Sequence, residues 1–355
     1  MRIAIIGAGL VGRILAWRLN DLQQGIKVIL IDQHDRDFVG TGLIAAAMVA
    51  PYTEAISTEA VTQELGVKSY QLWKKWLPEL EAQTSSSIDF NQKGTIVVAH
   101  SKDAPDFQRF KIKADAMISA ENMQAVNQVN LKALEPQLAD NFNHGLYFSN
   151  EGVIDNQALY RALNQYFEQQ KNITLIENTK VDDINNNGVL KGFDESFDWV
   201  FDCRGNGAKA DLKDFRSVRG ELARVYAPEV TISRAVRLIH PRYPLYIAPR
   251  QNHEYIIGAT QIESDDDKPV TVRSGLELLS ALYSLHQGFS EAQILQFQVG
   301  LRPTFTSNQP RIEYDNKLIR INGLYRHGYL FSPTLINDLI NNVVNKVINN
   351  NEHFA

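Results

Sequence analysis

The chain has 355 residues, 44% of them apolar, and 36 Lys and Arg against 41 Asp and Glu give a formal net charge of −5. This length makes two domains, or one large domain with a second lobe; no Lys/Arg cluster with interleaved aromatics points to a nucleic-acid partner, and no apolar run is long enough to cross a bilayer. One cysteine, Cys203, excludes an intrachain disulfide and a thiolate metal cluster.

Arg2-Ile3-Ala4-Ile5-Ile6 is an apolar run cut off by a glycine before a helix has room to form, and it predicts a buried parallel strand. A fold that begins at Arg2 leaves no room for a signal peptide, so the cytoplasm is the expected location. Gly7-Ala8-Gly9-Leu10-Val11-Gly12 follows, residues 13–19 have helical spacing, and Val28-Ile29-Leu30-Ile31 predicts a second strand that ends in Asp32. After a polar loop at 33–37, residues 40–51 are small, apolar and uncharged, which reads most simply as the start of a buried helix. Ser57 is expected to cap a long amphipathic helix to about residue 83, with Leu65, Tyr70, Leu72, Trp73, Trp76 and Leu80 inward.

Residues 88–99 read as a hairpin, 104–119 as a helix, and Leu134-Glu135-Pro136 as a turn. Strands resume at Gly145, and Asp155 caps a helix over 157–169. Strands are expected at 174–176 and 180–184, with a hairpin turn at Asn185-Asn186-Asn187-Gly188. A buried strand from Trp199 to Cys203 runs into glycines, and a buried, inert thiol is expected there. Strand, helix and strand units thus recur after a long insertion, which suggests a nucleotide domain interrupted by a second lobe. Residues 219–300 read as an antiparallel sheet, with strands at 221–226, 245–248 and 255–259 and a helix over 274–287. A final helix is expected over 334–349.

The opening stretch has the order of a dinucleotide site: strand, glycine turn, helix, strand, acid. Gly7 permits the tight turn, Gly9 lets a backbone approach a pyrophosphate, and Gly12 lets helix and strand pack closely. Free N–H groups and the dipole at the helix N-terminus attract phosphates. Asp32 would accept hydrogen bonds from a ribose diol and repel a 2′-phosphate, so FAD or NAD is favoured over NADP. The pattern alone does not separate FAD from NAD.

Elsewhere the candidates are fewer. Arg302 lies between Gly300 and Pro303, where a turn is expected to fix its backbone, and a rigidly held guanidinium suits bidentate capture of a carboxylate. A surface or structural arginine is the alternative. Arg326 sits in a Gly-x-x-Arg-x-Gly turn before the last helix. Tyr246 alternates with Leu245 and Ile247, so its hydroxyl would face a different side from them. The histidines show no metal spacing, and no H-E-x-x-H, G-x-S-x-G or Walker loop occurs, so no metal is expected. The chain offers no obvious acid, base or nucleophile, which fits chemistry carried by a cofactor.

These residues together resemble the FAD-dependent D-amino-acid oxidase (DAO) superfamily, and most of all its glycine oxidase branch, to which thiamine-pathway members belong. The resemblance rests on the opening G-A-G-L-V-G with Asp32, Ala45-Ala46-Ala47-Met48, Gly152-Val153-Ile154-Asp155 and Asp202-Cys203-Arg204-Gly205. It continues through Arg219-Gly220-Glu221, Tyr246-Ile247-Ala248-Pro249-Arg250, Gly258-Ala259-Thr260, Gly300-Leu301-Arg302-Pro303 and Tyr325-Arg326-His327-Gly328. It implies an α/β fold: a Rossmann-like FAD-binding domain of glutathione-reductase type with a second, mixed or antiparallel β-sheet substrate domain. The expected division is 1–83, 146–217 and 300–355 for FAD, and 84–145 and 218–299 for substrate.

By the same resemblance, Gly7, Gly9, Gly12 and Asp32 would hold the ADP half of FAD, with Ala8, Gln33 and Gly205 beside them and the Val181 backbone at the adenine. Ala46, Ala47, Met48, Gly328, Tyr329 and Leu330 would lie along the isoalloxazine. Arg302 and Tyr246 would take the substrate carboxylate, with Arg326 a second arginine near the flavin. The chain departs from the family pattern at Ala47, where a glycine is usual, at His327, where an asparagine is usual, and in early serines and threonines thinned to Thr41. The implied reaction oxidises a small amino acid or secondary amine (glycine, sarcosine or a D-amino acid) to an imine by hydride transfer to flavin N5, with oxygen or another acceptor. Two alternatives stand beside it: an acceptor-linked dehydrogenase of the same fold, and a flavoprotein partner or maturation factor acting on another polypeptide. An NAD enzyme comes last, and a homo-oligomer stays open.

Overall fold

A computed structural model describes residues 1–22, 25–58, 60–240 and 245–344. The nucleotide-type start forms as read: β1 (Arg2–Ile6), α1 (Leu10–Asn20) and β2 (Lys27–Ile31), with Ile3 opposite Val28 and Ile5 opposite Leu30 in parallel register. The small apolar stretch holds only a short α2 (Thr41–Ile44) and β3 (Met48–Val49). Ser57 does not cap the long helix; it ends α3 (Pro51–Ser57), and α4 (Ala60–Thr84) follows. Pro51 explains the extra helix, because its fixed φ suits the first helical position.

The hairpin expected over 88–99 does not form. β4 (Phe90–Asn91) and β5 (Thr95–Val98) enter different sheets, and Gly94, at φ +86°, carries the chain between them. β5 is buried along its whole length, so it needs partners on both sides. α5 (Ala104–Met117), β6 (Met123–Asn127), α6 (Gln128–Leu134), β7 (His144–Phe148) and β8 (Gly152–Ile154) come next. Asp155 caps α7 (Asn156–Gln169) as expected, accepting from the Ala158 N–H at 2.9 Å. β9 (Ile173–Ile176) is present, but 180–184 is not a strand: only Ile184 bridges Leu190, and Val181 is buried between the exposed Lys180 and Asp182.

The remaining elements are β10 (Trp199–Asp202), β11 (Phe215–Tyr226), β12 (Ala235–Leu238), β13 (Leu245–Pro249), β14 (Glu254–Gly258), β15 (Ile262–Glu263), α8 (Val272–Leu285), β16 (Gln293–Phe305), β17 (Arg311–Asp315) and β18 (Leu318–Asn322). The last helix, α9 (Gly328–Leu339), begins six residues before its expected start, runs on as a π-turn over Ile340–Val344, and beyond 344 falls outside the described residues. In the sequence, Pro333 argues against a helix that starts before it. Its missing N–H would leave the Tyr329 carbonyl bare, but Trp73 Nε1 donates to that oxygen at 2.8 Å, so the helix runs through.

Three sheets result. The first has the order β17-β18-β10-β1-β2-β9 and is parallel apart from the β17–β18 pair. The second runs β15-β11-β14-β13-β12-β5-β7-β6 with β16 on β11, antiparallel except where β5 meets β12. The third is β3-β8-β4. Among the described residues no helix is long and apolar enough to cross a membrane.

Ala47 departs from glycine at a position that asks for one: its φ is +51°. A residue with a Cβ is strained there by about 1–2 kcal/mol, partly offset by the unfolded-chain entropy of glycine. Ala47→Gly should therefore raise the unfolding free energy by about 0.5–1 kcal/mol, read as a higher denaturant midpoint. A lower midpoint would mean that the buried methyl packs better than the backbone is strained.

Candidate active site

A cavity of about 700 Å³ runs from the β1–α1 turn to the large sheet. Its first end is built by backbone. Gly7 has φ +101°, and a Cβ there would stand 2.5 Å from the Cys203 carbonyl oxygen. A Cβ on Gly12 would stand 1.9 Å from the Gly7 oxygen, so only glycine lets α1 pack on the turn; Gly12 itself does not line the cavity. Gly9 has open space where its Cβ would be, and α1 starts with no side-chain cap, which leaves its first N–H groups for a ligand. The Asp32 carboxylate accepts from the N–H of Ala8 (2.5 Å) and His34 (2.9 Å). Arg13 donates through Nε to the Ala8 carbonyl at 2.6 Å and lies over the Tyr160 ring. Gln33, Val181 and Gly205 line this end, and burial pushes the Cys203 thiol well up, as an inert thiol requires.

The middle is lined by two stretches of wall, Ala46, Ala47 and Met48 in the first and Gly328, Tyr329 and Leu330 at the start of α9 in the second. Asn156 holds the first wall: its Nδ2 donates to the carbonyls of Gly42 (3.1 Å), Leu43 (2.7 Å) and Ala45 (2.8 Å). Arg250 Nη2 adds a bond to the Ala46 carbonyl, and Tyr329 Oη one to that of Gly42, both 2.8 Å.

The far end brings Tyr246, Arg302 and Arg326 together. The ladder of β16 on β11, with Arg302 opposite Val218, fixes Arg302 mid-strand rather than in the expected turn. Its Nη1 donates to the Thr260 carbonyl at 3.0 Å, and its guanidinium lies over Gly220, where a Cβ would be 2.2 Å from Nη2. Among the described residues no carboxylate pairs with Arg302. Burial lowers its pKa and raises that of Tyr246.

Beside them Glu54 pairs with Arg237 Nη1 and Arg326 Nη2 and accepts from His327 Nε2, each at 2.9 Å. Burial pushes the Glu54 carboxyl up, but Arg326, Arg237 and His327 outweigh it and hold it well below the usual range. Burial lowers the His327 pKa against the pull of Glu54. His327 Nε2 faces two partners, the Glu54 carboxylate at 2.9 Å, which can only accept, and Arg326 Nε at 3.3 Å, which can only donate, so a given tautomer serves one of them; Nδ1 is buried with no partner among the described residues.

A model of the FAD-dependent oxidoreductase family DAO matches residues 2–336. The chain belongs to this family. It is 34% identical over 340 residues to the Rhizobium etli protein named as the thiamine biosynthesis oxidoreductase ThiO, covering 96% of this chain and 95% of that protein. The bifunctional protein ThiO/ThiG of Synechocystis is 28% identical, and this chain spans 51% of its length. The crystal structure of glycine oxidase from Geobacillus kaustophilus superposes with a TM-score of 0.83 at 25% identity, over 97% of this chain and 94% of that one.

The cavity fits FAD. The uncapped helix start and the open face at Gly9 suit a pyrophosphate, Asp32 suits a ribose diol, and the small residues Ala46, Ala47 and Gly328 in the middle of the lining suit the close approach of a flat ring. Every residue given a FAD or substrate role from the sequence lines this cavity except Gly12, which packs behind the turn. Glu54, Arg237 and Asn156 were not singled out. Arg237 carried a signal, a charge inside the apolar run Ala235-Val236-Arg237-Leu238; Glu54 and Asn156 carried none before the chain folds.

Glu151 supports this end from below. It accepts from the N–H groups of Tyr52 (2.9 Å) and Thr53 (2.7 Å) at the start of α3, the helix that carries Glu54. Burial pushes its carboxyl up to about 7 against these bonds. The folded state therefore binds this proton more tightly than the unfolded chain, whose value is near 4.5. The contribution is complete below pH 4.5 and is lost as pH rises to about 7. Glu151→Gln should abolish a fall of about 3 kcal/mol across that window, measured by urea unfolding at its two ends. An unchanged pH dependence in the variant would contradict this.

Proposed function

We propose that this enzyme oxidises a small amino acid or secondary amine, of the glycine, sarcosine or D-amino acid type, to an imine, with oxygen as acceptor and the cytoplasm as location. One observation carries the reading: among the described residues Arg302 is the arginine of the far end with no carboxylate partner, while Arg237 and Arg326 share Glu54. A buried guanidinium with open donors takes a substrate carboxylate bidentately. Tyr246 adds a hydroxyl to the same anion. The names of the ThiO and glycine oxidase relatives support the choice of substrate class.

FAD, held by the glycine turn and Asp32, would supply the hydride acceptor and the route for the electrons to oxygen. The protein's own part is binding and orientation. Arg302 and Tyr246 fix the carboxylate, and with it the direction of the Cα–H bond. Glu54 is a poor base, because two arginines and His327 already hold its negative charge. The substrate amine must therefore arrive neutral, and the imine hydrolyses in water after release. We assign FAD binding to residues 1–83, 146–217 and 300–355, of which 345–355 lie outside the described residues, and substrate binding to 84–145 and 218–299.

An oxygen electrode tests the acceptor. Glycine or sarcosine should drive oxygen uptake with one hydrogen peroxide formed per substrate consumed. Turnover with an electron-accepting dye but none with oxygen would overturn the oxidase reading in favour of an acceptor-linked dehydrogenase.

A further inference from the structure

The Arg219-Gly220-Glu221 motif has one residue in the cavity wall, Gly220, and two outside it. Residues alternate across a strand, so Gly220 and Arg302, which lies opposite Val218, share the cavity face, and Arg219 and Glu221 point to the reverse face. Both side chains there are buried, Arg219 at 4% exposure and Glu221 at 0%. A buried ion pair gives no net stability by default, because desolvation offsets the attraction. Its bonds show what it holds.

Arg219 donates to Glu221 Oε1 through Nε (3.1 Å) and Nη2 (2.7 Å). Its Nη1 also reaches the Asp266 carbonyl at 2.6 Å, and its Nη2 the Pro269 carbonyl at 3.0 Å. Glu221 binds Thr260 three ways. The Glu221 N–H donates to Thr260 Oγ1 at 2.9 Å, Thr260 Oγ1 donates to Glu221 Oε2 at 3.1 Å, and the Thr260 N–H donates to the Glu221 carbonyl at 3.1 Å. The Thr260 carbonyl is the acceptor for Arg302 Nη1. The segment 264–269, pinned by the same arginine, brings Asp267 into the cavity wall.

We propose that Arg219 is a positioning residue for the carboxylate site. From the reverse face of the sheet it fixes, through Glu221 and Thr260, the carbonyl against which Arg302 rests, and it ties the 264–269 wall to the same point. This rests on Arg302 binding the substrate carboxylate. With Arg219 shortened, Arg302 keeps its charge and its place on β16 but loses the rigid acceptor that aims its fork. Carboxylate binding then weakens, while the FAD end, built from other elements, is untouched.

The test uses the FAD-loaded enzyme and glycolate, a carboxylate with no amine, titrated against the flavin absorption bands. Arg219→Gln should weaken glycolate about tenfold and raise KM for glycine by a similar factor, with kcat within about threefold of wild type and the ligand-free flavin spectrum unchanged. Arg219→Lys, which keeps the charge and one donor direction, should recover part of the loss. Wild-type glycolate affinity in flavin-loaded Arg219→Gln overturns the proposal. If that variant fails to fold, Glu221→Gln decides: weakened glycolate binding with an intact flavin spectrum supports the proposal, and wild-type affinity overturns it. Arg302→Ala is run alongside. If it too binds glycolate as wild type does, the carboxylate reading of Arg302 has failed as well, and the two failures are told apart.

Discussion

Arg302→Ala should lower kcat/KM for glycine by about 10²–10³-fold, mostly through KM, while the protein stays yellow. A charge-assisted bidentate bond made away from water is among the strongest polar contacts available, and truncating one partner of such a pair costs about 2–5 kcal/mol. No neighbour can take over. Arg326 and Arg237 are both engaged with Glu54. FAD should remain because the glycine turn, Asp32 and the first sheet hold it without Arg302. Arg302→Lys should recover only part of the loss, since an ammonium keeps the charge but not the fork. Steady-state kinetics with the flavin absorbance read on the same sample check both halves, and unchanged kinetics would remove Arg302 from the site.

Glu54→Gln should destabilise the protein by about 3–5 kcal/mol, because Arg237 and Arg326 would be left buried without a counter-ion. The side chain of Arg237 is 3% exposed and that of Arg326 15%. The pH dependence gives a second reading of the same group. The folded pKa of Glu54 lies well below its ordinary 4.5, so its contribution is complete above 4.5 and is lost as pH falls through the folded value. The gap between wild type and Glu54→Gln in urea unfolding should therefore be full at pH 7 and shrink in acid. Equal stabilities at pH 7 would contradict the buried-cluster reading. This window lies below the one for Glu151, so the two carboxyls can be separated on one pH series.

Sequence and structure agree best where the chemistry is local. The first thirty-two residues state their strand, turn, helix, strand and acid without help from the rest of the chain, and Asp155 announces its helix for the same reason. The misread elements depend on distant partners. Phe90-Asn91 and Thr95 to Val98 have the pattern of a hairpin, but the third sheet claims one strand and the large sheet the other. The start of α9 is hidden by Pro333, whose defect Trp73 repairs from a helix 256 positions away in sequence. Arg302 was legible as a candidate through its motif, whereas its aim was not, since it depends on Thr260, Gly220 and the β11–β16 register. Glu54 was invisible for the same reason. Its role exists only once α3, β12 and the 325–328 turn meet.

The most direct test is the visible spectrum of the purified protein without oxygen, before and after adding glycine, sarcosine, D-alanine or D-proline in turn. The expected result is a yellow protein whose flavin bands are bleached by at least one of these amines. A yellow protein that none of them bleaches would contradict small-amine oxidation, and a colourless protein that cannot be loaded with FAD would contradict the cofactor itself.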